Sequence, residues 1–167
     1  MKVFIEGKCF VEKMREVAPE VTVPGNRQRT RENVARWLAR YAEDQDCDVE
    51  IVFESGETGE VLPPVEHHGR VTVRNLSPGE GARRQIAGPA NRAAEQDRVY
   101  VVTEDQRLTD ALEGGNARVF SADRFIRRAR TVMGADEKER YAEPDEKYSG
   151  LSEEEVDFWV DFFDDED

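Results

Sequence analysis

Three short runs of apolar, largely β-branched residues occur along the chain, and each ends at an acidic residue. They cover residues 3–6, 51–54 and 99–105. A strand buried on both faces of a parallel sheet shows such a continuous apolar run, whereas a strand with one solvated face alternates. The pattern therefore predicts three parallel strands, over about residues 2–6, 49–53 and 99–102, and two more over residues 71–73 and 117–120.

Stretches with helical spacing alternate with these strands. Val34, Trp37, Leu38 and Tyr41 recur at i, i+3, i+4 and i+7, which predicts an amphipathic helix, and Thr30 is placed to cap it. Further helices are predicted over residues 10–17, from Pro78 to residue 94 with a kink or a break at residues 88–89, over 108–112, and after the capping residue Ser121. Strands alternating with helices indicate an α/β fold with a mainly parallel central sheet and helices on both faces.

Two segments between these elements are predicted to be loops. Residues 19–29 and 54–69 are rich in turn-forming residues, and the second contains His67 and His68. Histidines in such a loop are expected to be exposed rather than to act as ligands. Cys9 and Cys47 have no metal-binding spacing and are interpreted as free structural thiols.

The charge is concentrated at one end of the chain. The net charge is −13, and residues 135–167 contain 15 acidic and 3 basic residues, so residues 1–134 are close to neutral. We therefore expect a globular domain over residues 1–134, a charged linker over 135–149, and an acidic, aromatic helix with a tail over 150–167.

The sequence strongly predicts a helix near the C-terminal end of the chain. Ser152 and Glu155 form a capping box, and an apolar face follows it, made of Val156, Trp159, Val160 and Phe163. A helix of this length cannot bury such a face alone. Residues 151–163 are therefore expected to dock on their own domain, on a protein partner such as a basic ribosomal surface, or over an arginine-rich patch.

Acidic residues at the ends of three predicted strands are the first candidate for chemistry. Glu6, Glu54 and Asp105 stand at the carboxyl ends of the strands, the edge where α/β sheets bind ligands. Together they would form a carboxylate cluster able to hold a hard cation such as Mg²⁺. The alternative is that each acid is merely solvated, or that Asp105 stabilises a helix N-terminus.

Arginines form the second candidate site. Arg27 and Arg29 lie in the predicted loop over residues 19–29, Arg31 follows the capping residue Thr30, and Arg84 lies in a later helix. They could contact the phosphates of RNA or form a solvated face. The chain contains no phosphate-binding P-loop, no dinucleotide glycine fingerprint and no serine nucleophile elbow. It also has no apolar run of membrane-spanning length and no signal-peptide h-region, so a cytoplasmic protein without a membrane partner is expected.

Five local features resemble, in order, the YacP-like NYN domains, a branch of the PIN-like nuclease superfamily. A first strand ending in an Asp-Gly motif corresponds to Glu6 and Gly7, and a helix with a Tyr-Ala pair precedes a strand that ends here at Glu54. A Gly-Glu segment opening the next helix corresponds to residues 79–83. A Val-Val-Thr strand end corresponds to residues 101–105, and a Ser-Ala helix start to residues 121–122.

This resemblance implies a PIN-like three-layer α/β/α fold and metal-dependent cleavage of RNA. The family's metal-ligating and catalytic positions correspond to Glu6, Glu54, Glu80 and Asp105, which would hold Mg²⁺ or Mn²⁺. The family has aspartate where this chain has Glu6, Glu54 and Arg83. Because of these departures, a second hypothesis stays open. In it the domain is catalytically inactive and binds RNA or protein, and Arg83 forms ion pairs with the acids.

Overall fold

The computed structural model describes residues 1–54, 61–93 and 95–139, with side chains through residue 134. Its strands are β1 Lys2–Glu6, β2 Asp48–Phe53, β3 Val65–His68, β4 Val71–Asn75, β5 Val99–Val102 and β6 Arg118–Phe120. Its α-helices are α1 Gly7–Val17, α2 Arg27–Asp44, α3 Ala82–Arg92, α4 Gln106–Leu112 and α5 Ala122–Glu139, and a 3₁₀ turn covers Pro19–Val21.

The six strands form one sheet in the order β3-β4-β2-β1-β5-β6. Every neighbouring pair is parallel except β3 and β4, which are antiparallel. The predicted α/β class with a mainly parallel sheet is thus confirmed. Because β1 lies between β2 and β5, the three strands that end in acids are adjacent.

Alternate residues of the central strands pack against different helices. Phe4 and Val101 lie in one apolar cluster with Ile86 of α3 and Leu108 of α4. Side chains alternate in direction along a strand, so Val3 and Ile5 point to the opposite face and are fully buried there. Helices α1 and α2 contact the sheet and each other.

The helices around that second face are joined by aromatic contacts. The ring of Phe10 in α1 lies 6.0 Å from that of Phe125 in α5, and the ring of Tyr41 in α2 lies 5.0 Å from Phe125. These contacts fall within a compact unit formed by Met1–Arg127. Of the second unit, Arg128–Asp167, the described residues continue α5 as far as Glu139.

Three local predictions are corrected. The predicted loop over residues 54–69 contains the edge strand β3, which carries His67 and His68 and is joined to β4 by a turn at Gly69, where φ is +58°. Helix α2 begins earlier than predicted, because Asn26 caps it, while the hydroxyl of Thr30 instead bonds the backbone of Val23.

The third correction concerns the start and the continuity of helix α3. It starts at Ala82 instead of Pro78, and it continues through Pro89 to Arg92 without being split.

The predicted helix over residues 151–163 lies outside the described residues. Among the helices that are described, none has the length and apolar character needed to cross a membrane.

Candidate functional site

A cavity of about 670 Å³ lies at the carboxyl-end edge of the sheet and collects acids from separate parts of the chain. Glu6 ends β1, Glu54 directly follows β2, and Asp105 follows β5. Glu80 precedes α3 and lines the same cavity. The structure therefore brings together all four acids that the sequence singled out.

Glu6 owes its position to an abrupt change from strand to helix. Helix α1 begins at the next residue, Gly7, with no intervening loop. A Cβ atom at Gly7 would clash with the ring of Phe53 and would lie 2.8 Å from the carbonyl oxygen of Val52. Glycine is thus required here by the close approach of β2, and the sharp turn fixes where the Glu6 side chain leaves the backbone.

Thr103 links two of the acids. Its buried hydroxyl donates a hydrogen bond to Oε2 of Glu6 and accepts one from the backbone N–H of Asp105 at 2.9 Å. The pKa of Glu6 is raised above its usual value, mainly because burial penalises the carboxylate, and also because Asp105 and Glu54 repel it. The Thr103 bond opposes this increase. The site thus concentrates negative charge in a partly desolvated position.

The other three acids each bind a nearby backbone amide through one carboxylate oxygen. Glu54 accepts from the N–H of Ala82 at 2.9 Å. Glu80 accepts from Ser77 at 3.0 Å, and Asp105 accepts from Arg107 at 2.9 Å. The bonds of Glu54 and Asp105 hold their carboxylates against the starts of α3 and α4, and the bond of Glu80 lies within the turn that precedes α3. Each leaves the second oxygen without a hydrogen-bond partner among the described residues.

Three arginines line the same cavity. They are Arg83 and Arg84, at the start of α3, and Arg107, at the start of α4. Sequence reasoning missed Arg107 as a site residue, although its place two residues after Asp105 was a usable signal. In the part of the chain that the structure describes, Arg83 forms no ion pair with any of the four acids, so the neutralising pairs considered above are not seen.

The other predicted RNA-binding arginines lie elsewhere. Arg27, Arg29 and Arg31 are at the N-terminal end of α2 and do not line the cavity. The guanidinium of Arg31 lies 4.4 Å from the centre of the Phe53 ring, next to the end of β2. The predicted set is therefore divided between the cavity, which has Arg84, and the start of α2.

The carboxylate oxygens of the four acids are suitable ligands for a hard divalent cation, but their positions do not form a coordination shell. Carboxylate oxygens are the ligands that Mg²⁺ and Mn²⁺ prefer, and a cation would relieve the mutual repulsion of these acids. As the side chains of residues 1–54, 61–93 and 95–134 are placed, however, no three His, Cys, Asp or Glu residues stand close enough to hold a metal ion. Metal binding would require carboxylates to rotate inward.

The histidines and cysteines considered in the sequence analysis lie in surroundings that favour a structural role. Nδ1 of His67 lies 3.3 Å from the hydroxyl of Thr72 on the neighbouring strand. Burial raises the pKa of Cys9 to about 12 and that of Cys47 to about 11, so both thiols stay protonated at neutral pH. A protonated thiol is a poor nucleophile and metal ligand, consistent with the structural reading of both cysteines.

Comparison with known proteins identifies one matching family and solved structures that share the fold. The family model described as YacP-like NYN domain matches residues 14–162. The crystal structure of Rae1 (YacP) from Bacillus subtilis is similar, with a TM-score of 0.65 at 20% sequence identity, over 97% of this chain and 94% of that one.

A crystal structure of a mutant form of the same Bacillus protein gives a TM-score of 0.66 at 19% identity, over 86% of each chain. At these identities the likeness shows a shared fold. No curated protein matches the sequence. The family match includes Glu54, Glu80 and Asp105 and begins after Glu6.

Proposed function

The chain belongs to the YacP-like NYN domain family, and we propose that it is a metal-dependent ribonuclease. The observation that supports this best is that Glu6, Glu54, Glu80 and Asp105, which come from four separate segments, line one cavity at the carboxyl-end edge of the sheet. A parallel α/β sheet binds its ligands at this edge. The family likewise implies an RNA substrate.

These four residues would hold the Mg²⁺ or Mn²⁺ ion. When bound, the ion would activate a water molecule and neutralise charge on the phosphate. Thr103 orients Glu6, and the backbone amides of Ala82, Ser77 and Arg107 each hold one oxygen of the other carboxylates. The second oxygen of each acid is left to face a ligand. Arg84 in the cavity, together with Arg27, Arg29 and Arg31 at the start of α2, would contact the RNA backbone.

A cleavage assay tests this function. Purified protein is incubated with structured and single-stranded RNA, with Mn²⁺ or with a chelator. We expect cleavage only with Mn²⁺, and an Asp105→Asn variant should lose most of it because one charged oxygen ligand is gone. An Asn side chain still accepts a hydrogen bond from Arg107 N–H, so the start of α4 is kept. Unchanged cleavage by this variant would indicate a contaminating nuclease.

A second function is favoured by a different observation. No three carboxylates reach metal-binding distance within the described residues, and Arg83 occupies the cavity where the family has an aspartate. The domain would then bind RNA or a protein partner without cutting RNA. Calorimetric titration with Mn²⁺ separates the two functions, because tight binding that Asp105→Asn weakens supports the ribonuclease and its absence supports the binding module.

The acidic C-terminal segment is proposed to dock through its apolar face. Residues 151–163 lie outside the described residues, so this proposal rests on the capping box and the helical spacing of the sequence alone. Docking on the segment's own domain is favoured, and docking on a basic partner such as a ribosomal surface is the alternative that fits its charge. A cytoplasmic location would fit a ribonuclease of this kind.

A further inference from the structure

The three arginines of the cavity are available to a ligand. Arg83, Arg84 and Arg107 are all exposed. Within residues 1–54, 61–93 and 95–134, none of their guanidinium groups forms a hydrogen bond or an ion pair. This distinguishes them from Arg74, which pairs with the buried Glu50, and from Arg127, which pairs with Asp123.

The lining of the cavity therefore carries charges of both signs. The four carboxylates alone would repel a phosphodiester, and a site built only from them would need a cation before RNA could enter. The arginines, which come from the starts of α3 and α4, offset most of this charge without a metal. A guanidinium also matches the geometry of phosphate oxygens through two parallel hydrogen bonds.

The volume of the cavity limits what can enter. At about 670 Å³ it falls within the range of sites that hold one small-molecule ligand, roughly 300–1,000 Å³. Such a volume accommodates a nucleotide or two of a single strand. An A-form duplex, which is recognised across a wide and shallow groove, would not enter it.

We infer that this cavity binds single-stranded RNA through phosphate contacts to Arg83 and Arg107 that do not depend on a divalent metal. The inference rests on the proposed function, since it takes RNA to be the ligand of this cavity. It gives Arg83 a role as a substrate contact in place of a lost metal ligand. It also adds Arg107, on the neighbouring helix α4, as a second contact that fixes the position of the RNA strand.

Binding measured in the presence of a chelator tests the inference. Fluorescence anisotropy follows a labelled single-stranded oligoribonucleotide and the matching duplex over a range of salt concentrations in EDTA. We expect the wild-type protein to bind the single strand more tightly than the duplex. Arg83→Gln and Arg107→Gln should each weaken binding and reduce the slope of log affinity against log salt by about 0.7, the value for one lost phosphate contact on a single strand.

Arg15→Gln provides the matched control. Arg15 is an exposed residue in the last turn of α1, which starts at the acidic edge and runs away from it, so this variant loses the same charge far from the cavity. Its affinity and salt slope should equal those of the wild type. Circular dichroism and a melting curve verify that all three variants are folded.

The outcomes separate this inference from the proposed function. Wild-type affinity and salt slope in both Arg83→Gln and Arg107→Gln would overturn the inference, even if Mn²⁺-dependent cleavage is observed. Failure of the wild type to bind RNA in EDTA, or equal affinity for duplex and single strand, would also overturn it. The expected arginine dependence without any cleavage in Mn²⁺ would support the inference and refute the ribonuclease.

Discussion

At the scale of single residues, Glu6 is held in a position that is unfavourable for its charge. Burial and the nearby acids Asp105 and Glu54 raise its pKa, and the Thr103 hydroxyl and Lys8 oppose the increase. A group whose folded-state pKa lies above its unfolded value lowers the free energy of unfolding as pH rises through that interval. Such a cost is typical of side chains kept for binding rather than for folding.

Replacing this carboxylate with an uncharged side chain of the same shape should therefore stabilise the protein. In a chelator at pH 7, Glu6→Gln is expected to raise the melting temperature by up to a few degrees, because the amide oxygen can still accept the Thr103 bond and the desolvated charge is gone. The gain should shrink as pH falls below the raised pKa of Glu6, where the wild-type carboxyl is itself protonated.

Differential scanning fluorimetry at several pH values measures this effect. Glu12→Gln, at an exposed position of α1, is the matched control and should change the free energy of unfolding by less than about 0.5 kcal/mol. A Glu6→Gln protein that is less stable than the wild type at pH 7 would show that the carboxylate contributes to folding.

At the scale of elements, sequence reasoning succeeded where strands are buried on both sides. The bounds of β1 and β5 were predicted correctly because their apolar runs are continuous. Strand β3 was missed because it is an edge strand of half-exposed and exposed residues, which leaves no apolar run to detect. The start of α2 was misplaced because Thr30 satisfies a capping pattern locally, while its hydroxyl bonds to Val23 in the fold.

The acids of the candidate site could be predicted from the sequence, whereas one of its arginines could not. Parallel strands end at one edge, so Glu6, Glu54 and Asp105 could be placed together from sequence, and the resemblance to the family supplied Glu80. Arg107 was not assigned, because its nearness in sequence to Asp105 suggests the site but does not show that its side chain lines the cavity, which depends on how α4 packs beside α3.

The corrected start of α2 gives a prediction at the same scale. Asn26 accepts a hydrogen bond from the backbone N–H of Arg29 at 3.0 Å, so Asn26→Ala should lower the free energy of unfolding by about 1 kcal/mol. Asn26→Asp keeps an oxygen acceptor at this position and should retain most of the stability. Urea denaturation measures both variants. An Asn26→Ala protein as stable as the wild type would contradict the assignment of the cap.

At the scale of the whole molecule, charge is divided between a near-neutral body and an acidic C-terminal segment. The family match runs from residue 14 to residue 162 and so includes the predicted linker and nearly all of the predicted C-terminal helix. This extent favours a segment that belongs to the domain of the family over an unrelated appendage. We therefore expect its apolar face to pack on this chain.

Deletion of residues 140–167 tests that expectation. Loss of a docked helix with an apolar face should lower the melting temperature sharply, because the apolar surface beneath it would be exposed to water. A matched variant with the terminal acids at positions 164–167 replaced by their amides keeps the helix and should melt like the full-length protein. Unchanged stability of the deletion, together with higher affinity for RNA, would instead identify the segment as an acidic cover over the arginines.

The most direct test of the central claim is a crystal structure of the protein soaked with Mn²⁺, with the metal located by its anomalous signal. The proposed function predicts one site in the cavity, with the carboxylates of Glu6, Glu54, Glu80 and Asp105 turned inward to supply its ligands. A cavity without anomalous signal, in which the Arg83 guanidinium lies among the four carboxylates, would contradict a metal-dependent ribonuclease.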